Sequence, residues 1–211
     1  MTSSDFKIGV LVSGRGTNLQ AIIDAIENGE LNARIAVVLS DKKKAPALDR
    51  ARTLGIDAVA LAPSSFAGKQ EYDQALVREL ENRKIDLVCL AGYMRILSPG
   101  FIRKFEGKII NIHPSLLPAF PGLNVQQKAI DYGVKFSGCT VHFVNEEVDS
   151  GPIILQAVVP VLDGDDEATL AERILIQEHL IYPRAIQMII ENRLHIDNRK
   201  VSCKENVTHE P

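Results

Sequence analysis

"KIGVLVSGRGTNLQAIIDAI", residues 7–26, holds the reading that decides the fold. "KIGVLV" (7–12) is a nearly continuous apolar run, the pattern of a strand buried on both faces. Leu19, Ile22, Ile23 and Ile26 then recur at i, i+3, i+4 and i+7, the spacing of one helix face. Between them lies "SGRGTNLQ" (13–20), a glycine-rich turn that opens the helix. Strand, glycine turn and helix in this order make the start of a mononucleotide-binding half.

The pattern repeats outward. "RIAVVLS" (34–40) reads as a second buried strand, and "APALDRARTLG" as a helix stopped by Gly55. "DAVALA" (57–62) is a shorter strand, and Tyr72, Leu76 and Leu80 mark a helix face before "IDLVCLAG" (85–92), a further buried strand. Strands alternating with helices of this length imply right-handed crossovers and a parallel sheet covered on both sides. After residue 113 the character changes. "GCTVHFVNEEVDSGPIILQAVVPV" (138–161) holds two β-rich runs around an acidic turn, which predicts an antiparallel pair added to the sheet. A long helix follows from about Asp165 to Glu191, with Pro183 expected to kink or break it. The fold class is α/β, a doubly wound and mostly parallel sheet with an antiparallel strand pair near the C-terminal end. Residues 1–195 are expected to form a single domain, and 196–211 a polar, frayed tail.

The bounds agree with one well-buried core in 211 residues. A formal net charge of −3 gives no electrostatic case for nucleic acid or an anionic membrane surface. No apolar run reaches the roughly 18 residues of a spanning helix, and "MTSSDFKIGV" lacks the apolar region of a signal peptide. Cys89, Cys139 and Cys203 are odd in number, widely spaced and without a C-x-x-C pair. Cys89 and Cys139 read as buried thiols rather than metal ligands or a disulfide, which fits a reducing cytoplasm. No His/Cys/Asp cluster has metal-ligand spacing.

Three stretches carry candidate chemistry. The "SGRGTNLQ" turn places free N–H groups and a helix dipole where an anion is favoured. Gly14 and Gly16 supply two glycines of a dinucleotide fingerprint, but Leu19 stands where the third belongs, and no GK[ST] follows. A monophosphate held by Gly16, Thr17 and Asn18 is the better fit; a plain turn with Thr17 or Asn18 as N-cap is the alternative. In "NIHPSLLPAFPG" (111–122), Asn111 and His113 share a strand face by the two-residue period, at a carboxyl end where open α/β sheets put ligands. Pro114, Pro118 and Pro121 stiffen the loop beyond. An Asn amide beside a protonated His can hold an oxyanion; a capping Asn and a structurally satisfied His would look the same in sequence. In "EEVDSGPI" (146–153), Asp149 sits in a turn between two strands. A carboxylate beside an imidazole favours the charged ring, fixes its orientation and can relay a proton through water. A solvated acidic turn is the plainer reading. No Ser or Cys nucleophile stands beside these residues, which argues for direct transfer. His142, in "TVHFV", reads as a structural strand residue.

Together, "SGRGTNLQ", "NIHPSLLPAFPG", "GCTVHFV" and "DSGPIILQ", with "LAGYMRIL" (90–97) and "QEHLIYP" (177–183), resemble the phosphoribosylglycinamide formyltransferases of the folate-dependent formyltransferase family. The likeness runs from about residue 7 to 195. It implies the formyltransferase fold and transfer of a formyl group from 10-formyltetrahydrofolate to glycinamide ribonucleotide in purine synthesis. It implies Asn111, His113 and Asp149 as the catalytic trio, and Gly16, Thr17 and Asn18 on the substrate phosphate. Glu178 would receive the ribose hydroxyls. The folate would lie near Met94, Arg95 and Leu97 and the turn of Val144, Asn145, Glu146, Glu147 and Val148. The expected partners are small-molecule substrates, with no metal, nucleic acid or membrane, and the chain a monomer or homodimer in the cytoplasm. A formyltetrahydrofolate hydrolase, a tRNA formyltransferase and a catalytically silent nucleotide-binding module are the competing readings.

Overall fold

The computed structural model describes residues 5–204 and sets seven strands in one sheet. In chain order the elements are β1 (Lys7–Val12), α1 (Thr17–Glu27), β2 (Arg34–Ser40), α2 (Pro46–Thr53), β3 (Ala58–Ala60), α3 (Lys69–Asn82) and β4 (Leu87–Leu90). Then come α4 (Pro99–Lys104), β5 (Ile109–His113), α5 (Val125–Tyr132), β6 (Phe136–Phe143), β7 (Ile153–Pro160) and α6 (Glu167–Ile190). A terminal hairpin, β8 (Leu194–Asp197) and β9 (Lys200–Cys203), completes the chain.

The sheet order is β3-β2-β1-β4-β5-β6-β7. The first five strands pair in parallel; β6 runs antiparallel to β5, and β7 antiparallel to β6. This is the doubly wound sheet with an antiparallel pair that the sequence implies. The chain winds outward through β2 and β3, then returns past β1 to β4, so the winding reverses between β1 and β4. Ligand crevices open at such reversals, outside the carboxyl ends of the strands.

Two apolar cores separate the layers. One side of β1 (Ile8, Val10, Val12) packs under α1, α2, α5 and α6 through Leu19, Ile22, Leu48, Ala129, Ile174 and Tyr182. The other side packs on α3 and α4 through Leu11, Tyr72, Leu76, Leu80 and Phe101. The 3.6-residue spacing on α1 and α3 therefore does fall on buried faces. Cys89 and Cys139 are free and buried; burial pushes both thiols up, Cys139 to about 12, which leaves them inert.

Two expectations change. The helix α6 runs unbroken through Pro183, which is buried inside it. Its start is fixed by a reciprocal cap between Asp166 and Thr169, and Tyr182 Oη donates to the Leu90 carbonyl at 2.9 Å, so packing holds the helix where one backbone bond is missing. The frayed tail is replaced, up to residue 203, by the hairpin β8–β9, and a boundary at 195/196 would cut β8. Leu194, Ile196, Val201 and Cys203 alternate with polar residues across a two-residue turn whose Asn198 adopts φ +53. Residues 205–211 of the expected tail lie outside the described residues. The short helices α4 and α5 occupy stretches for which the sequence pattern gave no element.

Candidate active site

The expected site residues after β1, β4 and β5 leave the carboxyl ends of parallel strands, whereas the 144–149 turn leaves β6 beside the start of β5, because Phe143 pairs with Ile110 and Thr140 with His113. After β1 the chain enters α1 with Gly16 as N-cap at φ +75, and no side chain caps the first turn. Neither Thr17 nor Asn18 serves as N-cap; the leading N–H groups are left for another acceptor. A Cβ on Gly16 would lie 2.6 Å from that of Ala47, so only glycine lets α2 approach here. Asn18 points instead at α6, donating from Nδ2 to Glu178 Oε2 at 2.7 Å. Glu178 is 7% exposed, and burial raises its pKa against the opposing effect of the Asn18 bond. Asn18 Oδ1 beside it is buried with no partner. A buried carboxylate and an unsatisfied amide oxygen next to a row of free N–H groups suit a phosphate with hydroxyls close behind it.

The turn after β4 is tied to the one after β1. Ser13 N–H donates to the Gly92 carbonyl at 3.1 Å, and Met94 N–H donates to Ser13 Oγ at 2.9 Å. Met94 is 61% exposed, and Arg95 lies over the Tyr72 ring at 5.3 Å. Leu97 differs: at 6% exposure its side chain belongs to the α3–α4 core. In the 144–149 turn, Val144 packs partly against that core and Val148 is exposed. Glu146 pairs with Arg103 at 2.8 Å, Glu147 accepts from Ser150 Oγ, and Asn145 Oδ1 is buried without a partner.

The trio comes together at the end of β5. His113 closes the strand, 4% exposed, and Asp149 Oδ2 stands 3.4 Å from its Nδ1. That separation is long for a hydrogen bond, so the carboxylate acts on the ring mainly by charge. Asp149 adopts φ +50 in the β6–β7 turn, and Gly122 N–H donates to its Oδ2 at 2.8 Å. The next turn residue but one, Gly151, has no room for a side chain, since a Cβ there would meet the Phe143 carbonyl oxygen at 1.7 Å. The proline-rich loop folds back so that the Phe120 carbonyl lies 2.9 Å from His113 Nε2. A carbonyl only accepts, so Nε2 carries a hydrogen and Nδ1 is the ring atom left to face Asp149.

Asn111 is fixed by a residue that sequence reasoning treated as structural. His142 lies opposite it in the β5–β6 ladder. The Nδ1 of His142 stands 2.8 Å from its neighbour's carbonyl at Phe143, and Asn111 Nδ2 stands 3.2 Å from its Nε2. Nδ1 must then donate, Nε2 accepts from the Asn111 amide, and that amide keeps a second N–H free. Burial lowers the His142 pKa, which keeps the ring neutral and able to accept. Its Nε2 also lies 3.8 Å from Asp149 Oδ1, so both imidazoles border one carboxylate. The available signal was the antiparallel pairing itself: once β6 runs beside β5, "TVHFV" must bring one of its residues opposite Asn111.

A groove of about 800 Å³ between α1, α6 and β9 includes Thr17 and His179, which flank Asn18 and Glu178, but none of the trio. Among the described residues no group of three or more His, Cys, Asp or Glu could hold a metal ion, and no helix is long and apolar enough to cross a membrane.

The model of the Formyl transferase family matches residues 6–186. The chain is 46% identical over 187 residues to the phosphoribosylglycinamide formyltransferase of Escherichia coli, covering 89% of this chain and 88% of that one. It is 45% identical to the human trifunctional purine biosynthetic protein adenosine-3 over 93% of this chain. It spans only 20% of that relative's length, and 14% of the corresponding Drosophila melanogaster protein. The crystal structure of glycinamide ribonucleotide transformylase 1 from Symbiobacterium toebii superimposes with a TM-score of 0.92 at 52% identity, covering 94% of this chain and 93% of that one.

Proposed function

The chain belongs to the formyl transferase family, and on that footing we propose that it transfers a formyl group from 10-formyltetrahydrofolate to the amine of glycinamide ribonucleotide in purine synthesis. The observation that carries this reading is the convergence of Asn111, His113 and Asp149 at the end of β5, on the edge that also bears the uncapped start of α1. The ribonucleotide phosphate sits on the N–H groups of Gly16, Thr17 and Asn18, with Glu178 accepting from the ribose hydroxyls. The folate lies along Met94 and Arg95 and against the 144–149 turn, with Leu97 supporting that wall from the core.

The amine attacks the formyl carbon, and negative charge develops on the formyl oxygen. The free N–H of Asn111 and the Nδ1–H of protonated His113 donate to that oxygen. Asp149 places its carboxylate beside that ring, 3.4 Å from Nδ1. As the new C–N bond forms and the C–N bond to the folate breaks, the proton lost by the amine ends on the departing folate nitrogen, with Asp149 relaying it through water. Asn111 and His113 need no covalent intermediate for this.

The same reading makes the chain a cytoplasmic enzyme of small molecules, a monomer or homodimer, with no nucleic-acid or membrane partner. The test is to mix purified protein with 10-formyltetrahydrofolate and follow deformylated folate with and without glycinamide ribonucleotide. Release that requires the ribonucleotide is the expected result. Release without it identifies a hydrolase, and no release in either case identifies a silent nucleotide-binding module.

A further inference from the structure

We infer that Ser115 is a positioning residue for His113, setting which imidazole nitrogen carries the hydrogen of the neutral ring. Ser115 is fully buried at 0% exposure, two residues past His113. Its hydroxyl stands 2.6 Å from the Ala119 carbonyl and 3.1 Å from the Phe120 carbonyl. The second of these is the oxygen that receives His113 Nε2 at 2.9 Å. One hydroxyl proton and one ring N–H thus meet on a loop tip that the same hydroxyl draws inward.

The start of that loop is fixed independently. Thr140 Oγ1 donates to the Ser115 carbonyl at 2.7 Å and accepts from Leu117 N–H at 3.1 Å. Gln156 Nε2 donates to both Thr140 Oγ1 and the Leu117 carbonyl at 2.9 Å. Residues 115–117 are therefore bound to β6 and β7 by their backbone. What links this fixed base to the far end of the loop is the Ser115 side chain, with one further backbone bond from Ala119 N–H to the Leu116 carbonyl at 3.0 Å. Phe120 itself sits at φ +51, a conformation that costs a non-glycine residue and that surroundings must enforce. Its ring rests edge-on against Tyr132 at 5.9 Å, which holds the side chain but does not aim the carbonyl.

The chemical consequence lies in the tautomer. With the Phe120 carbonyl in place, the neutral ring keeps its hydrogen on Nε2, and Nδ1 is the ring nitrogen that faces Asp149. Without the Ser115 hydroxyl, the loop tip loses the contact that presents that carbonyl. The ring can then populate the other tautomer, which turns a lone pair toward Phe120 and a fixed hydrogen toward Asp149. Ser115 acts through His113 and touches no substrate.

The inference rests on His113 being the reacting imidazole, and its test has one arm that does not. The imidazole nitrogens of His113 are observed by ¹⁵N NMR in the substrate-free protein at alkaline pH, assigned against His113→Gln. The wild-type chain is expected to hold hydrogen on Nε2. Ser115→Ala and Ser115→Cys are expected to show averaging between tautomers; the cysteine keeps most of the volume with a weak donor and serves if the alanine variant does not fold. In the formyl-transfer assay the variants lose about tenfold in kcat while KM for both substrates stays within about threefold, as expected for a misaimed group. A wild-type His113 with hydrogen on Nδ1 overturns the inference. So does a variant that is less heat-stable yet keeps the wild-type tautomer and kcat, since that is a structural role alone. A wild-type protein without formyl transfer sinks the functional reading, and the tautomer arm still decides the role of Ser115.

Discussion

Asn111 and His142 face each other across the β5–β6 ladder, and the amide nitrogen of the first lies 3.2 Å from Nε2 of the second. The histidine is a neutral acceptor that aims the amide, and both properties follow from its burial. His142→Phe keeps the ring's bulk and removes the acceptor. Loss of one such neutral hydrogen bond corresponds to about 1 kcal/mol, so kcat should fall roughly fivefold with little change in KM. Steady-state kinetics of the variant check this.

The same burial sets a pH dependence. The folded His142 pKa lies below its ordinary 6.5, because burial disfavours the charged ring. A base depressed in the folded state stabilises the fold above its unfolded pKa and loses that contribution as pH falls through the lower folded value. Thermal midpoints measured from pH 7 downward should therefore drop less steeply for His142→Phe than for the parent chain.

Removing the proposed oxyanion donors is the more severe change. Asn111→Ala or His113→Ala should each lose roughly 10²-fold or more in kcat, the size typical of losing one such donor. Near-normal turnover in both variants would count against the whole assignment.

Glu178 invites an opposite pair of effects. Its folded pKa is raised above 4.5 by burial, so ionisation costs the fold stability as pH climbs from about that value through the folded one. Glu178→Gln keeps an oxygen for Asn18 and removes the charge. The variant should melt higher than the parent at neutral pH, with the difference vanishing below about pH 4, where both side chains are neutral. Its KM for the ribonucleotide should rise, because an amide oxygen accepts more weakly than a carboxylate from ribose hydroxyls. Melting curves at two pH values and one KM measurement suffice.

Gly16 combines φ +75 with an approach of 2.6 Å to Ala47 from any added Cβ. Gly16→Ala should destabilise the chain by at least about 1–2 kcal/mol from backbone strain alone. It should also raise KM for the ribonucleotide more than for the folate, since the displaced N–H groups are those proposed to hold the phosphate. Denaturant melts and separate KM values distinguish the two contributions.

The parallel half of this fold is legible because its central strands β1 and β4 are buried on both faces and the helices α1 and α3 each show a single apolar stripe. The glycine turn is legible for a related reason, since Gly16 marks backbone that a side chain would obstruct. What stayed hidden depends on pairing between distant segments. His142 gains its role from the strand opposite, Glu178 from a helix 160 residues beyond Asn18, and the Phe120 carbonyl is a backbone atom that no side-chain pattern reports. The terminal hairpin was masked by its own composition, because polar residues on its exposed face outweigh the alternation of Leu194, Ile196, Val201 and Cys203. Leu97 is legible as apolar but not as core or pocket wall, since a core residue directly under a binding surface satisfies both patterns.

The reversal of direction at β6 has an evolutionary corollary. The phosphate cradle hangs on crossover connections, whose helices must span a face of the sheet and cover it, and their lengths are bound to the core they build. Asp149 hangs on a hairpin turn, which can gain or lose a residue at small entropic expense. Selection can therefore lengthen, shorten or recompose the carboxylate arm while the winding that carries the cradle stays as it is. The two arms meet near one strand end, yet the connections that carry them are separately adjustable.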